Sequence, residues 1–165
     1  MLHIAKTIAQ LDFSRLMAVY EEGNMENAEQ LHSELPGGQA ILRVEQDFYQ
    51  YLRECFFATH GAYYAIWVEG GDYRSALRIE PYKDGVLLAA LETHPQYRRQ
   101  GYAEKLIGEV IPMERKIYAH VSKKNVASLA VHKKCGFARI SEQAVYIDGS
   151  VNSKCCTLCC ENNGE

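Results

Sequence analysis

The chain has 165 residues, 47% of them hydrophobic and 24% charged, with a formal net charge of −3 at pH 7. These values are typical of globular proteins and exclude a disordered chain, and the length suits a single domain over residues 1–165. The acidic balance argues against nucleic-acid binding, which usually requires a basic domain. Neither a membrane-spanning apolar run nor the apolar core of a signal peptide is present. We therefore expect a cytoplasmic protein with no membrane partner.

The first third of the chain is predicted to be mainly helical, because apolar residues recur there at helical spacing. The expected elements are a weak strand within residues 1–8, a helix from Leu11 to about His32 interrupted near Gly23-Asn24, a short second helix from Met25, and a helix from Ile41 to about Phe57. Pro36-Gly37-Gly38 separates the last helix from those before it.

The rest of the chain alternates between strands and helices. The predicted strands are Gly61–Val68, Tyr73–Ile79, Val86–Leu91 and Ile117–Val121. One helix is predicted to end near Pro112 and another to span Asn125–Lys134. A closing hairpin is predicted over Phe137–Ile147 and Val151–Cys160. This order predicts an α/β fold with a central mixed β-sheet and helices on both faces.

Charge is unevenly distributed along the chain. Residues 97–134 contain nine Lys/Arg against three Asp/Glu, whereas residues 1–84 contain seven against thirteen. The basic block suits an anionic cofactor. The acidic glutamates of the N-terminal helices suit a cationic acceptor, although such surfaces are commonly only solvated; they are Glu21, Glu22, Glu26 and Glu29.

Six cysteines are present, and four of them cluster as CCTLCC over residues 155–160. In a strand, Cys155 and Cys159 face one side while Cys156 and Cys160 face the other. One straight strand cannot wrap four thiolates around a tetrahedral metal ion. We therefore predict free thiols and no metal site, in preference to a metal-binding interaction module.

The most informative stretch runs from Val86 to Ile111, VLLAALETHPQYRRQGYAEKLIGEVI. A buried strand leads through a turn with Arg98 and Arg99 into an amphipathic helix. The free amides and positive dipole of a helix N-terminus bind phosphate, and Gly101 would let backbone approach it closely. One glycine is too few for a dinucleotide fingerprint, and no Gly-Lys-Ser/Thr follows for a Walker loop. Spacing alone favours the simpler interpretation, an ordinary strand–loop–helix joint with two solvated arginines.

The turn resembles motif A of the GNAT superfamily of acyl-CoA-dependent N-acetyltransferases, Arg/Gln-x-x-Gly-x-Gly/Ala. Its fixed positions are filled by Arg98, Gly101 and Ala103. Residues 117–137, IYAHVSKKNVASLAVHKKCGF, resemble the family's motif B of strand, asparagine, helix and Gly-Phe. Asn125, Ser128 and His132 are expected to share one polar stripe of its helix, with Val126, Leu129 and Ala130 on an apolar side.

The resemblance implies acetyl-CoA as co-substrate and assigns its contacts. The end of the central strand would bind the pantetheine arm through main-chain groups, and a strand-end amide would act as oxyanion donor. The implied contacts are Leu91, Glu92 and Thr93 for the arm, Arg98, Arg99, Gln100, Gly101, Tyr102, Ala103 and Glu104 for the phosphates, and Asn125 with Ser128 from motif B.

The sequence departs from the family at its proton-transfer positions. His132 stands where the family usually has a tyrosine as general acid, and His120 where some members have a glutamate as general base. Histidine can fill either role, because it titrates near neutral pH. Glu92 is a third catalytic candidate.

We therefore expect an N-acetyltransferase that moves an acetyl group to a primary amine by direct attack. The expected acceptor is an amine of a small molecule or a peptide, and the enzyme is expected to be a monomer or a homodimer. A non-catalytic acyl-CoA-binding regulatory domain is the alternative interpretation.

Overall fold

A computed structural model describes residues 1–164 of the chain. The strands are β1 Leu2–Ala5, β2 Tyr63–Glu69, β3 Asp72–Tyr82, β4 Gly85–Thr93, β5 Lys116–Ser122, β6 Ala138–Ser141, β7 Ala144–Val145, β8 Val151–Asn152 and β9 Cys155–Glu161. The α-helices are α1 Phe13–Val19, α2 Glu21–Leu31, α3 Gly37–Tyr51, α4 Tyr102–Val110 and α5 Val126–Lys134. Short helical turns lie at Ile8–Gln10, Leu52–Phe56, Pro95–Tyr97 and Ile111–Met113.

Seven strands form one mixed sheet in the order β1-β2-β3-β4-β5-β9-β6. Strands β4 and β5 are parallel, and every other pair in this sheet is antiparallel. The strand–α4–strand connection produces the parallel pair, because a parallel neighbour requires a crossover. The predicted mixed sheet is confirmed.

Helices cover both faces of this sheet, as predicted. On one face, which we call the α4 face, Leu106, Ile107 and Val110 of α4 pack with apolar residues of β2 to β5 and β9. On the opposite face, the α1 face, Leu16 and Val19 pack with Tyr64, Ile66 and Ala76 of β2 and β3 and with the turn after α3. The alternation of strand side chains divides these two cores. In the part of the chain described, no helix is long and apolar enough to span a membrane.

The predicted break at Gly23-Asn24 is wrong. Both residues lie inside α2, and the chain bends instead at Tyr20, which ends α1. A glycine inside a helix costs only about 1 kcal/mol. Asn24 is buried, and its side-chain amide contacts Met17 Sδ at 3.4 Å. The bend turns Tyr20 toward the sheet.

The helix predicted from Ile41 begins earlier, because α3 starts directly after Pro36, whose fixed φ suits a helix entry. Its last predicted turn, Leu52–Phe56, is wound as a π-helix. Strand β3 also extends beyond the prediction at both ends, from Asp72 to Tyr82.

The closing hairpin is only partly as predicted. Strand β6 pairs with β9, but the residues between them form a separate small hairpin, β7–β8, with the expected turn at Asp148–Ser150. The longer β9 lies between β5 and β6 rather than at the edge. Cys156 and Cys160 point into the α4-face core, whereas Cys159 packs with Tyr118 on the other face. The predicted division of the cysteines between two faces is confirmed, and all six are free thiols.

Candidate active site

The two parallel strands separate at the centre of the sheet. Pairing between β4 and β5 stops at Leu88–Ala119, although β4 continues to Thr93 and β5 to Ser122. The backbone groups that β4 turns toward β5 beyond this point therefore have no strand to pair with. Unpaired backbone groups at such a gap are available to an extended ligand.

A β-bulge marks the same point on β4. The register with β3 shifts between Ala76 and Arg78, and Ala90 has a φ of 52°, which is unusual for a residue with a side chain. The buried Tyr20 Oη donates a hydrogen bond of 2.6 Å to the Ala90 carbonyl. Tyr64 Oη donates in turn to Tyr20 Oη at 3.1 Å. Burial raises the pKa of Tyr20 well above its ordinary value, so the phenol remains a hydrogen-bond donor.

The turn into α4 presents free amides. Gly101 adopts a left-handed φ of 81° at the N-cap, and Arg99 before it is left-handed at 61°. Within residues 1–164, no side chain caps the first turn of α4. The amides at the start of this helix are therefore open to an anion.

The two arginines of the turn differ in their contacts. Arg98 pairs with Glu22 at 2.7 Å and with Glu92 at 3.7 Å, and its Nε donates to the Thr93 carbonyl at 3.3 Å. Arg98 thus ties α2, the end of β4 and the turn together. Arg99 is exposed and makes no hydrogen bond or ion pair among the described residues, so its charge is free for a ligand.

A cavity of about 490 Å³ brings together eleven of the twelve predicted cofactor contacts. These are Leu91, Glu92, Thr93, Arg98, Arg99, Gly101, Tyr102, Ala103, Glu104, Asn125 and Ser128. Gln100 is exposed and does not line the cavity. A larger cavity of about 820 Å³, lined by Asp84, Lys116 and Glu161 among others, lies where β4 and β5 begin and contains no predicted site residue. We place the site at the smaller cavity, because the free amides and the strand gap converge there.

Helix α5 is rotated relative to the prediction. Val126 is 74% exposed and Ala130 is exposed, whereas His132, expected on an open polar stripe, is 2% exposed. The helix therefore turns its polar stripe inward, with Leu129 partly buried beside it. Asn125 occupies the N-cap, where its Oδ1 accepts from the Ser128 amide at 3.0 Å. Its side-chain NH₂ makes no hydrogen bond within residues 1–164 and remains available.

The contacts of His132 define its tautomer. Nδ1 lies 2.7 Å from the Ser128 carbonyl, which can only accept, so Nδ1 carries the proton. Nε2 of the neutral ring is then an acceptor, and it is buried without a partner in the described chain. Burial lowers the pKa of His132, while the Ser128 carbonyl partly offsets that shift. His132 therefore starts as a proton acceptor, which disfavours its predicted role as a resident acid.

His120 and His132 line a second cavity of about 160 Å³ between β4, β5 and the start of α5. Leu91, Asn125 and Ser128 border this cavity as well as the larger one, so the two adjoin. The His120 ring lies edge-on between Tyr82 and Tyr146, at 5.4 Å from each, and its Nε2 is also buried without a partner in the described chain. Burial lowers the pKa of His120, helped by the nearby charge of Lys83.

Glu92 lies at the junction of the bulge, α2 and the turn. Burial raises the pKa of this carboxyl; Arg98 opposes the shift, and Glu22 and Glu26 add to it. Its side chain is nevertheless 45% exposed, so solvent screens these effects. Glu92 lies in the cavity, where a proton acceptor for the amine is predicted.

Comparison with known proteins supports this assignment. The model of the acetyltransferase (GNAT) family matches residues 25–137, more than half of the chain. The protein belongs to the GNAT family. It is therefore an acetyl-CoA-dependent acetyltransferase, as the two motifs predicted. No curated protein matches the sequence.

Solved structures agree with the GNAT fold at low sequence identity. PaiA N-acetyltransferase of Thermoplasma acidophilum, solved with coenzyme A, has a TM-score of 0.65 at 12% identity, with 98% of this chain and 99% of that one covered. Ribosomal-protein-S18-alanine N-acetyltransferase of Escherichia coli has a TM-score of 0.58 at 16% identity, covering 98% and 94%. Protein PH1933 of Pyrococcus horikoshii has 0.64 at 15% identity, covering 99% of each chain.

Sequence reasoning missed two residues at this GNAT site. Tyr20 lies within the helix predicted from Leu11 and Arg78 within the strand predicted over Tyr73–Ile79, and neither was predicted as a site residue, yet both lie beside the bulge of β4. The sequence carries no signal for either, because both positions depend on how α1 and β3 pack against β4.

Proposed function

We propose that this GNAT enzyme transfers the acetyl group of acetyl-CoA to a primary amine of a small molecule or peptide by direct attack. The observation that carries the proposal is the gap between β4 and β5 beyond Leu88–Ala119. It joins the two cavities that contain the motif A and motif B residues. In this arrangement the acyl donor and the proton-transfer groups share one site.

The cofactor phosphates are assigned to the turn into α4. The amides from Arg99 to Glu104 would receive the pyrophosphate, with Gly101 in the left-handed conformation that lets the backbone curve around it. Arg98 acts in this proposal by holding the turn, through Glu22 and Glu92, rather than by contacting phosphate. The pantetheine arm would follow the main chain of Leu91 to Thr93, opposite the free NH₂ of Asn125 and near Ser128.

The peptide between Ala90 and Leu91 is the proposed oxyanion donor. In a trans peptide the carbonyl and the following N–H point in opposite directions. Tyr20 holds the Ala90 carbonyl on the α1 side, so the Leu91 amide must point away from Tyr20, which suits the gap. A donor fixed in advance stabilises the charge that develops as the amine attacks.

Proton transfer is assigned to Glu92, His120 and His132. An ammonium group cannot attack a thioester, so Glu92 or His120 would first remove the proton of the amine. His132 Nε2 starts unprotonated and would receive a proton through the small cavity that it shares with His120. It would then return this proton to the sulfur of the departing thiolate. That proton is the one the nitrogen loses as it attacks, whereas Glu92 or His120 would release the first proton to solvent. The net products are an amide, free CoA and one proton, with the enzyme unchanged.

The experiment that tests the function is an amine panel scored by release of free CoA, with the acetylated product identified by mass spectrometry. We expect amine-dependent CoA release and an N-acetyl product. Acetyl-CoA binding without product from any small amine or N-terminal peptide would contradict the proposal, because the family assignment would then hold for binding alone.

A further inference from the structure

We propose that Arg78 binds a carboxylate of the acceptor, so that the enzyme selects amines that also carry a carboxylate group. The inference rests on the proposed function, since it takes the β4 bulge as the place where the acetyl group is transferred. It adds the substrate class and a specificity-determining residue.

The sheet register places Arg78 beside the bulge. Arg78 of β3 lies opposite Ala89, the residue before the bulged Ala90, and opposite Tyr64 on its other side. Its guanidinium is close enough to act on both tyrosines of the Tyr64–Tyr20–Ala90 chain. Burial raises the pKa of each phenol, and the charge of Arg78 offsets part of that rise.

Arg78 is partly buried and has no charged partner among the described residues. Its Cζ lies 5.2 Å from the ring centre of Tyr51, 5.7 Å from that of Phe56 and 5.9 Å from that of Phe48. Within residues 1–164, its guanidinium makes no ion pair or hydrogen bond, and the other arginines without one, Arg99 and Arg115, are exposed. Aromatic rings attract a cation but leave its N–H donors unused. A carboxylate would satisfy these donors in a planar, two-pronged contact.

The opposite side of the bulge suits the amine. Glu92 lies opposite Ala76 of β3. Ala76 is two residues from Arg78, so the Cα atoms of Ala76 and Arg78 are about 6.6 Å apart at ordinary strand spacing. Glu22 of α2 pairs with Arg98 at 2.7 Å, more closely than Glu92 does at 3.7 Å. An acceptor with its amine at the bulge and its carboxylate toward Arg78 therefore meets charges of the right sign at both ends. A purely cationic acceptor would leave Arg78 unpaired.

Matched pairs of amines test this inference on the whole protein. Glycine, β-alanine and γ-aminobutyrate would each be compared with the corresponding carboxamide, with kcat/KM expressed per unprotonated amine. We expect at least one acid to exceed its amide by about tenfold or more, the usual order for a charge-assisted hydrogen bond. The three chain lengths allow for the distance between Arg78 and the transferred acetyl group.

Variants separate recognition from packing. Arg78→Gln should raise KM for the preferred acid about tenfold or more while leaving kcat/KM for the amide nearly unchanged. The KM of Arg78→Lys for the acid should lie between those of the wild type and Arg78→Gln. Arg53→Gln removes a neighbouring exposed charge that already pairs with Glu54 at 3.0 Å, and it should keep the preference. If Arg78 only packed against its neighbours, Arg78→Gln would lower activity on the acid and on the amide equally.

The outcomes distinguish this inference from the proposed function. Equal use of acid and amide by the wild-type enzyme in all three pairs would overturn the role of Arg78 and leave amine acetylation standing. Failure to acetylate any amine would overturn both. The wild-type comparison decides the matter even where Arg78→Gln does not fold.

Discussion

Tyr20 Oη donates a 2.6 Å hydrogen bond to the carbonyl of Ala90, seventy residues further along the chain. The bond joins the bend between α1 and α2 to the bulge of β4. It holds a residue with an unfavourable φ of 52° in one orientation. Such strain is typical of sites where the backbone itself takes part in chemistry.

Replacing Tyr20 by Phe should impair the chemical step, because the Ala90–Leu91 peptide would lose the contact that orients its amide. We expect kcat to fall by about tenfold or more, by analogy with the loss of an oxyanion donor, with the affinity for acetyl-CoA nearly unchanged. Tyr64→Phe is the matched control, since it removes a buried hydroxyl from the same chain of hydrogen bonds but leaves the contact with Ala90. Equal kcat values for the two variants, at equal thermal stability, would argue against the positioning role.

Gly101→Val should weaken acetyl-CoA binding strongly. A β-branched side chain is disfavoured at a φ of 81° and would project where the pyrophosphate approaches the first turn of α4. Gly108→Ala, at an exposed position within the same helix, should bind normally. Calorimetric titration of both proteins, with circular dichroism to verify folding, provides the measurement. An unchanged dissociation constant in a folded Gly101→Val protein would remove this turn from the cofactor site.

Asn125 caps α5 and is also proposed to bind the cofactor, and the variants Asn125→Ser and Asn125→Ala can distinguish the two roles. Serine caps a helix about as well as asparagine, whereas alanine costs about 1 kcal/mol. Asn125→Ser should therefore keep the unfolding free energy but bind acetyl-CoA more weakly, because it lacks the free NH₂ group. Asn125→Ala should lose both. Full affinity in Asn125→Ser would mean that the residue acts only as a cap.

The pH dependence of kcat should report the proton acceptors. Burial lowers the pKa of His120 and of His132 from the usual histidine value of 6.5, so both rings remain neutral at pH values somewhat below 6.5. A neutral acceptor is required, so activity should stay level above about pH 6.5 and fall only in more acidic solution. His132→Ala and His120→Ala should each lower kcat by ~100-fold or more with acetyl-CoA affinity nearly intact. If both retain wild-type kcat from pH 6 to 9, Glu92→Gln is the next variant to measure.

The fold and the cofactor side of the site were accessible from the sequence because local patterns specify them. An apolar strand, a turn with Gly101 and an amphipathic helix are adjacent in the chain, and adjacency brings their ends together. The same holds for Asn125 at the start of α5. The excess of Lys and Arg in residues 97–134 also predicted an anionic ligand from the sequence alone.

The acceptor side could not be predicted in the same way, because it depends on contacts between distant segments. Tyr20 and Arg78 meet the bulge only through the packing of α1 and β3. The bulge itself depends on a register shift between β3 and β4, and no residue type in Val86–Leu91 predicts such a shift. The orientation of α5 was predicted wrongly because helical periodicity alone places polar residues on the exposed side. In the structure, the inward side of the first turn of α5 is polar, as a ligand-lined cavity requires.

The position of β9 in the sheet has a consequence for the order in which the protein folds. Strand β9 supplies Cys156, Leu158 and Cys160 to the central core and separates β5 from β6, although it follows both in the chain. Until residues 155–161 dock, one long side of β5 is therefore unpaired. Nascent chains in that state expose a strand edge that can pair wrongly with a neighbour. Completion of the central core therefore depends on residues 155–161, and a chain in which this segment has not yet docked is the one that chaperones most need to protect.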